Sequence, residues 1–349
     1  MTIPATLPTA RLGATDMSIT RVGFGAWAIG GAGWAFGWGP QDDDEAVAAI
    51  RHAVESGVNW VDTAAVYGLG HSEELVARAL ADLPEADRPY VFTKCGLVWD
   101  ERDRSRPPAR VGAPDSIRAE VDASLRRLGV ERIDLYQLHW PPQDGTPIAD
   151  AVATLHELKA AGKIRAVGVS NFSVAQLEEA AAASGVDVLQ PPFSMINRQI
   201  AADILPYCSV RDIGVIVYSP MQSGLLTGSW SKQRTLELPE DDWRRRSADF
   251  NPPALERNLA LVDVLRTVAD RLETTVPAVA VAWTLAFDGV TGAIVGARRP
   301  SQVDAWLPAA GRVSLSDRDL DEIAGAIERL GVGSGPTRPG PALPGTALI

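Results

Sequence analysis

Ile133-Asp134-Leu135-Tyr136-Gln137-Leu138-His139 is a short apolar run that ends on an imidazole, and the segments on its C-terminal side decide the fold. Ile148–Ala161 has helical apolar spacing, and Ile164–Ser170 is a second apolar run. Two short, continuously apolar runs joined through one helix read as parallel strands with a crossover. The same rhythm extends outward in both directions. Before it lie Val22–Gly25, a helix over Asp42–Ser56 with an acidic first turn and Gly57 as its stop, strand Val58–Asp62, helix Ser72–Ala81, strand Tyr90–Lys94, and helix Pro114–Leu128 between its proline and Gly129. After it come helix Ser173–Ala183, strand Val188–Gln190, a helix from about Ala201 to Val210, strand Val215–Tyr218, helices Pro253–Arg271 and Pro277–Phe287, strand Gly292–Val295 and helix Pro300–Ala309. Eight βα units are the count of an α/β chain folded as a (β/α)8 TIM barrel.

Thr9–Arg21 predicts an N-terminal β-hairpin, and Ser316–Leu330 an extra C-terminal helix. The expected organisation is a single barrel domain over 1–330 and a loosely ordered Pro/Gly-rich tail over 331–349. The alternative, a doubly wound sheet, wants a glycine fingerprint between its first strand and helix. Gly31-Ala32-Gly33-Trp34-Ala35-Phe36-Gly37 has the glycines but is interrupted by large rings, and it reads as a loop.

The 349 residues are 46% hydrophobic, enough for one large core. A formal charge of -11 argues against a general nucleic-acid binder, while leaving room for a local phosphate pocket. Cys95 and Cys208 make no disulfide framework and suit a reducing compartment. Met1–Leu12 lacks a basic segment followed by an apolar one, and no apolar stretch reaches membrane length. The expectation is a soluble cytoplasmic protein, monomeric, with no metal and with neither nucleic acid nor membrane as partner.

Three consecutive strands end in chemically loaded residues: Asp62, Lys94 and His139, with Tyr67 in the loop after Asp62. A barrel puts its active site at the C-terminal strand ends, so position and residue type agree. Tyr67 is the natural acid for a carbonyl oxygen that gains negative charge. Its phenol, with an ordinary pKa of about 10, is expected to be lowered by the Lys94 ammonium, which Asp62 holds charged and in place. His139 is suited to hydrogen-bond the same oxygen and orient the substrate. Singly, each has an ordinary structural explanation: a helix cap, loop packing, a rim charge, a structural imidazole. Their coincidence on successive strand ends is the specific signal.

Here the chain resembles the aldo-keto reductase family. The resemblance rests on Asn59-Trp60-Val61-Asp62-Thr63-Ala64-Ala65-Val66-Tyr67-Gly68, Phe92-Thr93-Lys94, Asp134–Trp140, Gly162–Phe172 and Tyr218-Ser219-Pro220-Met221, and runs from about Leu12 to Pro308. Gly25–Gly31 and Gly296-Ala297-Arg298-Arg299 look most like the bacterial general-stress and inositol-cluster branch. The resemblance implies a barrel that binds NADPH, with NADH as the other option, and reduces an aldehyde or ketone by hydride transfer. It implies a catalytic tetrad of Asp62, Tyr67, Lys94 and His139. For the cofactor it implies Ser170, Asn171 and Gln190 on the carboxamide, Tyr218 under the nicotinamide, and the loop Ser219, Pro220, Met221, Gln222, Gly224 and Leu225 over the pyrophosphate. It adds Trp27, Asp62, Gly296, Arg298, Arg299 and Gln302, the two arginines facing a 2′-phosphate; arginines beside a helix N-terminus suit an anion on physical grounds as well.

The sober alternatives are that Ser170-Asn171 cap the next helix, Gln190 sits in a turn, Tyr218 packs, and Arg298-Arg299 are a solvated pair. Where the family usually has an acidic residue and an asparagine on the adenosine, this chain has Ala305 and Trp306, so Trp306 either stacks on adenine or packs inward. Trp27, Trp34, Tyr67, His139 and Trp140 are the candidate substrate contacts, suiting a hydrophobic or ring-shaped small-molecule carbonyl. The charged excursion Gly228–Asn251, with Glu240, Asp241, Asp242, Arg244, Arg245 and Arg246, either covers the cofactor or stays solvated. Two other functions fit the residues. One is a cofactor-binding, redox-sensing barrel with little turnover, as potassium-channel β subunits of the family exemplify. The other is a Schiff-base aldolase on Lys94, which the neighbouring Asp62 disfavours by keeping the lysine protonated.

Overall fold

The eight apolar runs form eight strands, each parallel to the next: β1 (Val22–Gly25), β2 (Trp60–Asp62), β3 (Tyr90–Cys95), β4 (Ile133–Leu138), β5 (Ile164–Ser170), β6 (Val188–Gln190), β7 (Gly214–Tyr218) and β8 (Gly292–Gly296). They close in sequence order, with β8 pairing back onto β1. The structure is a computed structural model and describes residues 7–239 and 242–340. Helices such as Asp43–Glu55, His71–Leu80, Pro114–Leu128 and Ile148–Ala160 ring the barrel, their apolar faces meeting outward-facing strand residues such as Val61, Val91, Tyr136 and Val167.

The strand period of two then places the chemistry. Trp60, Phe92, Leu135, Ala166, Val188, Ile216 and Ile294 fill one layer of the interior. Two residues further along the same strands stand Asp62, Lys94, Gln137, Gly168, Gln190, Tyr218 and Gly296, which form the next layer toward the C-terminal mouth. Gln137 pairs in register with Gly168, and a Cβ there would lie 2.7 Å from the Gln137 side chain, so the glycine makes the room. Below, a Cβ on Gly23 would lie 2.2 Å from the Trp60 ring.

The hairpin forms as expected, Thr9–Arg11 antiparallel to Ser18–Thr20, and it seals the N-terminal end with fully buried Leu12, Met17 and Ile19. The extra helix is Asp317–Leu330, capped by Ser316 with Asp319. The expected helix over Ala201–Val210 divides into a 3-10 turn, Gln199–Ala201, and a shorter helix, Ile204–Ser209, started by the Asp203 side chain. Among the described residues no helix is long and apolar enough to cross a membrane.

Residues 331–340 of the Pro/Gly-rich tail are fastened to the barrel. Ser334 bridges to Asn197, and the buried guanidinium of Arg198 donates to the carbonyls of Val332, Gly335 and Met195. Arg338 then pairs with Asp317 and Asp321. One buried cation that needs carbonyl acceptors fastens this Gly/Pro-rich segment. Residues 341–349 lie outside the described residues, as do Glu240 and Asp241 of the charged excursion. The rest of that excursion is folded around Trp230 and Phe250, whose ring centroids are 4.7 Å apart.

Candidate active site

The floor of the barrel mouth is a buried charge pair. Lys94 Nζ lies 2.6 Å from Asp62 Oδ1 and donates to the Thr63 carbonyl at 2.8 Å; neither side chain is more than 2% exposed. Its remaining reach is toward the Tyr67 hydroxyl, at 3.4 Å. The second Asp62 oxygen accepts from the amides of Gln190 and Gln137, and Gln190 also donates to Gln137 Oε1 at 3.1 Å. The His139 ring stands edge-on to Tyr67, with centroids 5.6 Å apart. The four sequence-predicted residues are thus brought to one point, and Asp62 serves there rather than as a helix cap.

Burial, then the Asp62 charge, pushes the Tyr67 phenol well above its ordinary range. The sequence alone leads to the expectation that the Lys94 ammonium lowers it; burial and the Asp62 carboxylate act in the other direction. Burial likewise pulls Lys94 down, against the pull of Asp62. His139 is held well below its usual value by burial and by the charges of Lys94 and Arg110, so it stands as a neutral imidazole. The set can keep a proton on Tyr67, offer a neutral hydrogen-bonding ring beside it, and stabilise a phenolate with a fixed cation once the proton has left.

Above the floor opens a cavity of about 1390 Å³, large enough for a dinucleotide and a small substrate. Trp27, Trp34, Tyr67, His139, Trp140, Ser170, Asn171, Gln190 and Tyr218 line it, as do Ser219, Pro220, Met221, Gly224, Gly296, Arg298, Arg299 and Gln302. Ser173 makes its own capping box with Gln176, so Ser170 and Asn171 are not needed as caps. Instead Asn171, at φ 64°, donates to the His139 carbonyl and to Ser170 Oγ and accepts from the Tyr218 hydroxyl at 2.8 Å.

Two expected cofactor contacts do not face this cavity. Gln222 is held between Ser194 Oγ and Asp249, both at 2.7 Å, and Leu225 is fully buried in the core, because the loop turns through positive φ at Gln222, Ser223 and Gly224. Arg298 lines the cavity, yet its guanidinium is spent on Gln41 Oε1 at 2.6 Å and on the carbonyls of Trp38 and Pro40. Arg299 is exposed. Trp306 packs inward and is 1% exposed.

Gln137 and Trp243 are contributors that the sequence did not single out, and Arg244 was named there only as part of the charged excursion. Gln137 was legible only through its strand parity with Lys94. Trp243 stacks on Trp27 at 5.9 Å and meets Trp38 edge-on at 6.0 Å, which joins the loop after β7 to the loop after β1. Arg244 lies over Trp38 at 4.6 Å, braced by Asp242 at 2.6 Å. The buried indole N–H groups of Trp34, Trp38 and Trp243 have no hydrogen-bond partner among the described residues. No group of His, Cys, Asp and Glu among the described residues is arranged to hold a metal.

Known proteins resemble this one over its whole barrel. The chain is 37% identical over 335 residues to the NADH-specific methylglyoxal reductase of Escherichia coli (strain K12), covering 91% of this chain and 98% of that one. It is 35% identical over 315 residues to the aldo-keto reductase YhdN of Bacillus subtilis (strain 168), covering 90% and 92%. Among solved structures, the glycerol dehydrogenase AKR11B4 of Gluconobacter oxydans superposes with a TM-score of 0.84 at 40% identity, covering 94% of this chain and 97% of that one. Residues 21–328 match the aldo/keto reductase family as a whole, and with a closed barrel and a strand-end site in hand, the chain belongs to that family of carbonyl-reducing oxidoreductases.

Proposed function

We propose that this enzyme reduces its aldehyde or ketone with Tyr67 as the proton donor, on a nicotinamide dinucleotide laid across the mouth of the barrel. The observation that carries the reading is the Tyr67 hydroxyl 3.4 Å from an ammonium that is itself pinned to Asp62. When bound, a reduced nicotinamide supplies the hydride. Tyr67 enters the reaction protonated, because burial keeps it so, and gives its proton to the carbonyl oxygen as charge builds there. Lys94 then sits against the phenolate, and Asp62, held from two sides, keeps Lys94 from swinging away. His139, neutral, shares the same oxygen and fixes which carbonyl face is presented.

The carboxamide is assigned to Asn171, Ser170 and Gln190, whose amide and hydroxyl groups line the cavity, with the Tyr218 ring beside it. The pyrophosphate is assigned to the loop Ser219–Gly224, where glycine permits close approach. For the nucleotide, we infer that both NADPH and NADH serve. Of the two arginines after β8, Arg299 is the one with an unspent guanidinium for a 2′-phosphate, since Arg298 braces the loop at Trp38–Gln41, and the Escherichia coli relative is named for NADH.

The test is absorbance-monitored oxidation of NADPH and NADH with an aldehyde panel, repeated with Tyr67→Phe. Loss of roughly 10²–10⁴-fold in kcat with cofactor binding retained supports the donor role. Undiminished turnover in Tyr67→Phe refutes it. Replacing Arg299 by Met should narrow any NADPH advantage.

A further inference from the structure

The geometry points to an anionic carbonyl substrate, an aldehyde or ketone that also bears a carboxylate or phosphate, recognised by Arg110. This deepens the reductase reading and rests on it. Arg110 lines the same cavity as Tyr67 and His139. Its guanidinium lies over the Trp140 ring, 4.1 Å from the centroid, and Trp140 directly follows His139. Among the described residues it makes no ion pair and no side-chain hydrogen bond.

The other arginines with neither, such as Arg102, Arg126, Arg211 and Arg299, are exposed, whereas Arg110 is half-buried. Carboxylates outnumber basic residues 44 to 33, and Arg244, also in the cavity wall, has its own aspartate. The nearby Asp144 does not serve Arg110, for its oxygens accept from the backbone N–H groups of Gly112 and Thr146. A guanidinium with one face on an aromatic ring and its donors unspent is poised for a planar or tetrahedral anion.

The backbone holds Arg110 in place. It pairs with Leu97 in a two-stranded ribbon, its carbonyl accepts from Gln143, and Val111 next to it donates to Gly96. The position is thus set by three elements of the rim and is not that of a free loop side chain. Its place in the barrel also separates it from the nucleotide. Arg110 belongs to the connection after β3, and Arg298 and Arg244 belong to those after β8 and β7, across the eight-stranded ring. A cation on the far rim, one indole from His139, meets the tail of the substrate and not the phosphates of the cofactor.

Matched substrates test this. The full chain is assayed on 4-carboxybenzaldehyde against its neutral methyl ester, and on glyceraldehyde 3-phosphate against glyceraldehyde. The expected result is a kcat/KM advantage for at least one anionic member of roughly tenfold or more, the value of one charge-assisted hydrogen bond. The pair that shows it identifies carboxylate or phosphate as the anion. Arg110→Met should erase that advantage, Arg110→Lys should keep part of it, and Arg11→Met, at an exposed pair outside the cavity, should keep it all. Where Arg110→Met fails to fold, added salt on the wild-type enzyme must lower the anionic advantage and spare the neutral substrate. Equal kcat/KM for both members of both pairs, or an advantage that survives Arg110→Met, overturns the inference. Absence of turnover on every aldehyde would instead strike the reductase reading beneath it.

Discussion

Gln137 and Gln190 both donate to one oxygen of Asp62, Oδ2, at 3.2 and 2.8 Å, and Gln190 donates a second time to Gln137. Both N–H groups of Gln190 are thereby spent inside the floor, and its carbonyl oxygen is what it can offer a ligand amide. Gln137 therefore fixes the orientation of the Gln190 amide as well as the Asp62 carboxylate. It touches no reacting atom and is a positioning residue.

Gln137→Leu should lower kcat roughly ten- to hundredfold, the cost of weakening a hydrogen bond to a buried charge at the moment the phenolate forms. It should also weaken dinucleotide binding, because Gln190 is free to turn over. Steady-state kinetics beside fluorescence titration of the cofactor separate the two effects. A lowered melting temperature with both parameters intact would leave Gln137 a packing residue.

Trp243 closes the cavity from above through its stack on Trp27. Trp243→Ala removes that stack and the edge contact with Trp38, and should raise the dinucleotide dissociation rate roughly tenfold. Stopped-flow release measures it. An unchanged dissociation rate would show that the two loops do not retain the cofactor.

Behind the barrel wall, Glu73 is fully buried, paired with Arg127 at 2.6 Å and accepting from Thr93 Oγ1 at 2.6 Å. Arg127→Met strands that carboxylate and should destabilise the fold by about 3–5 kcal/mol. Arg11→Met, which breaks an exposed pair with Asp212, should barely move the urea midpoint. Equal midpoints for the two variants would contradict this ranking.

The pH responses come from the signs of the shifts. The folded state holds His139 below its usual value, so below pH of about 6.5 the unfolded chain binds the extra proton and stability is lost as pH falls. Cys208 is pushed by burial from 9.0 up to about 12, so its contribution is intact below pH 9.0 and is lost as pH rises toward 12. Urea midpoints across pH should show both declines. The reduction rate itself should show no inflection near pH 6.5 from His139 and should fall only above the ordinary phenol range of about 10, since burial raises Tyr67. A rate inflection near neutrality that vanishes in His139→Gln would refute the neutral-imidazole reading.

The order of elements was legible because it is local: apolar runs, acidic first turns, and Gly129 or Pro114 at helix ends declare themselves within a few residues. Asp62, Lys94, Tyr67 and His139 could be paired on paper because neighbouring strands in a barrel end side by side. The direction of the Tyr67 shift could not, since it depends on how completely the floor is desolvated, a property of everything packed above and beside it. Arg298 and Trp306 show the same limit, one spent on the loop at Trp38–Gln41 and the other turned into the core.

Along the chain alone, the residues declare a barrel and the chemistry that Asp62, Lys94 and His139 carry at its strand ends. The packed molecule supplies the rest: Gln137 braces that floor, Trp27 and Trp243 meet across the mouth, Arg198 fastens residues 331–340, and among the described residues Arg110 has no counter-charge. These are contacts between residues far apart along the chain. A hydrogen bond or a missing ion pair of that kind depends on three-dimensional distance, which no periodicity encodes.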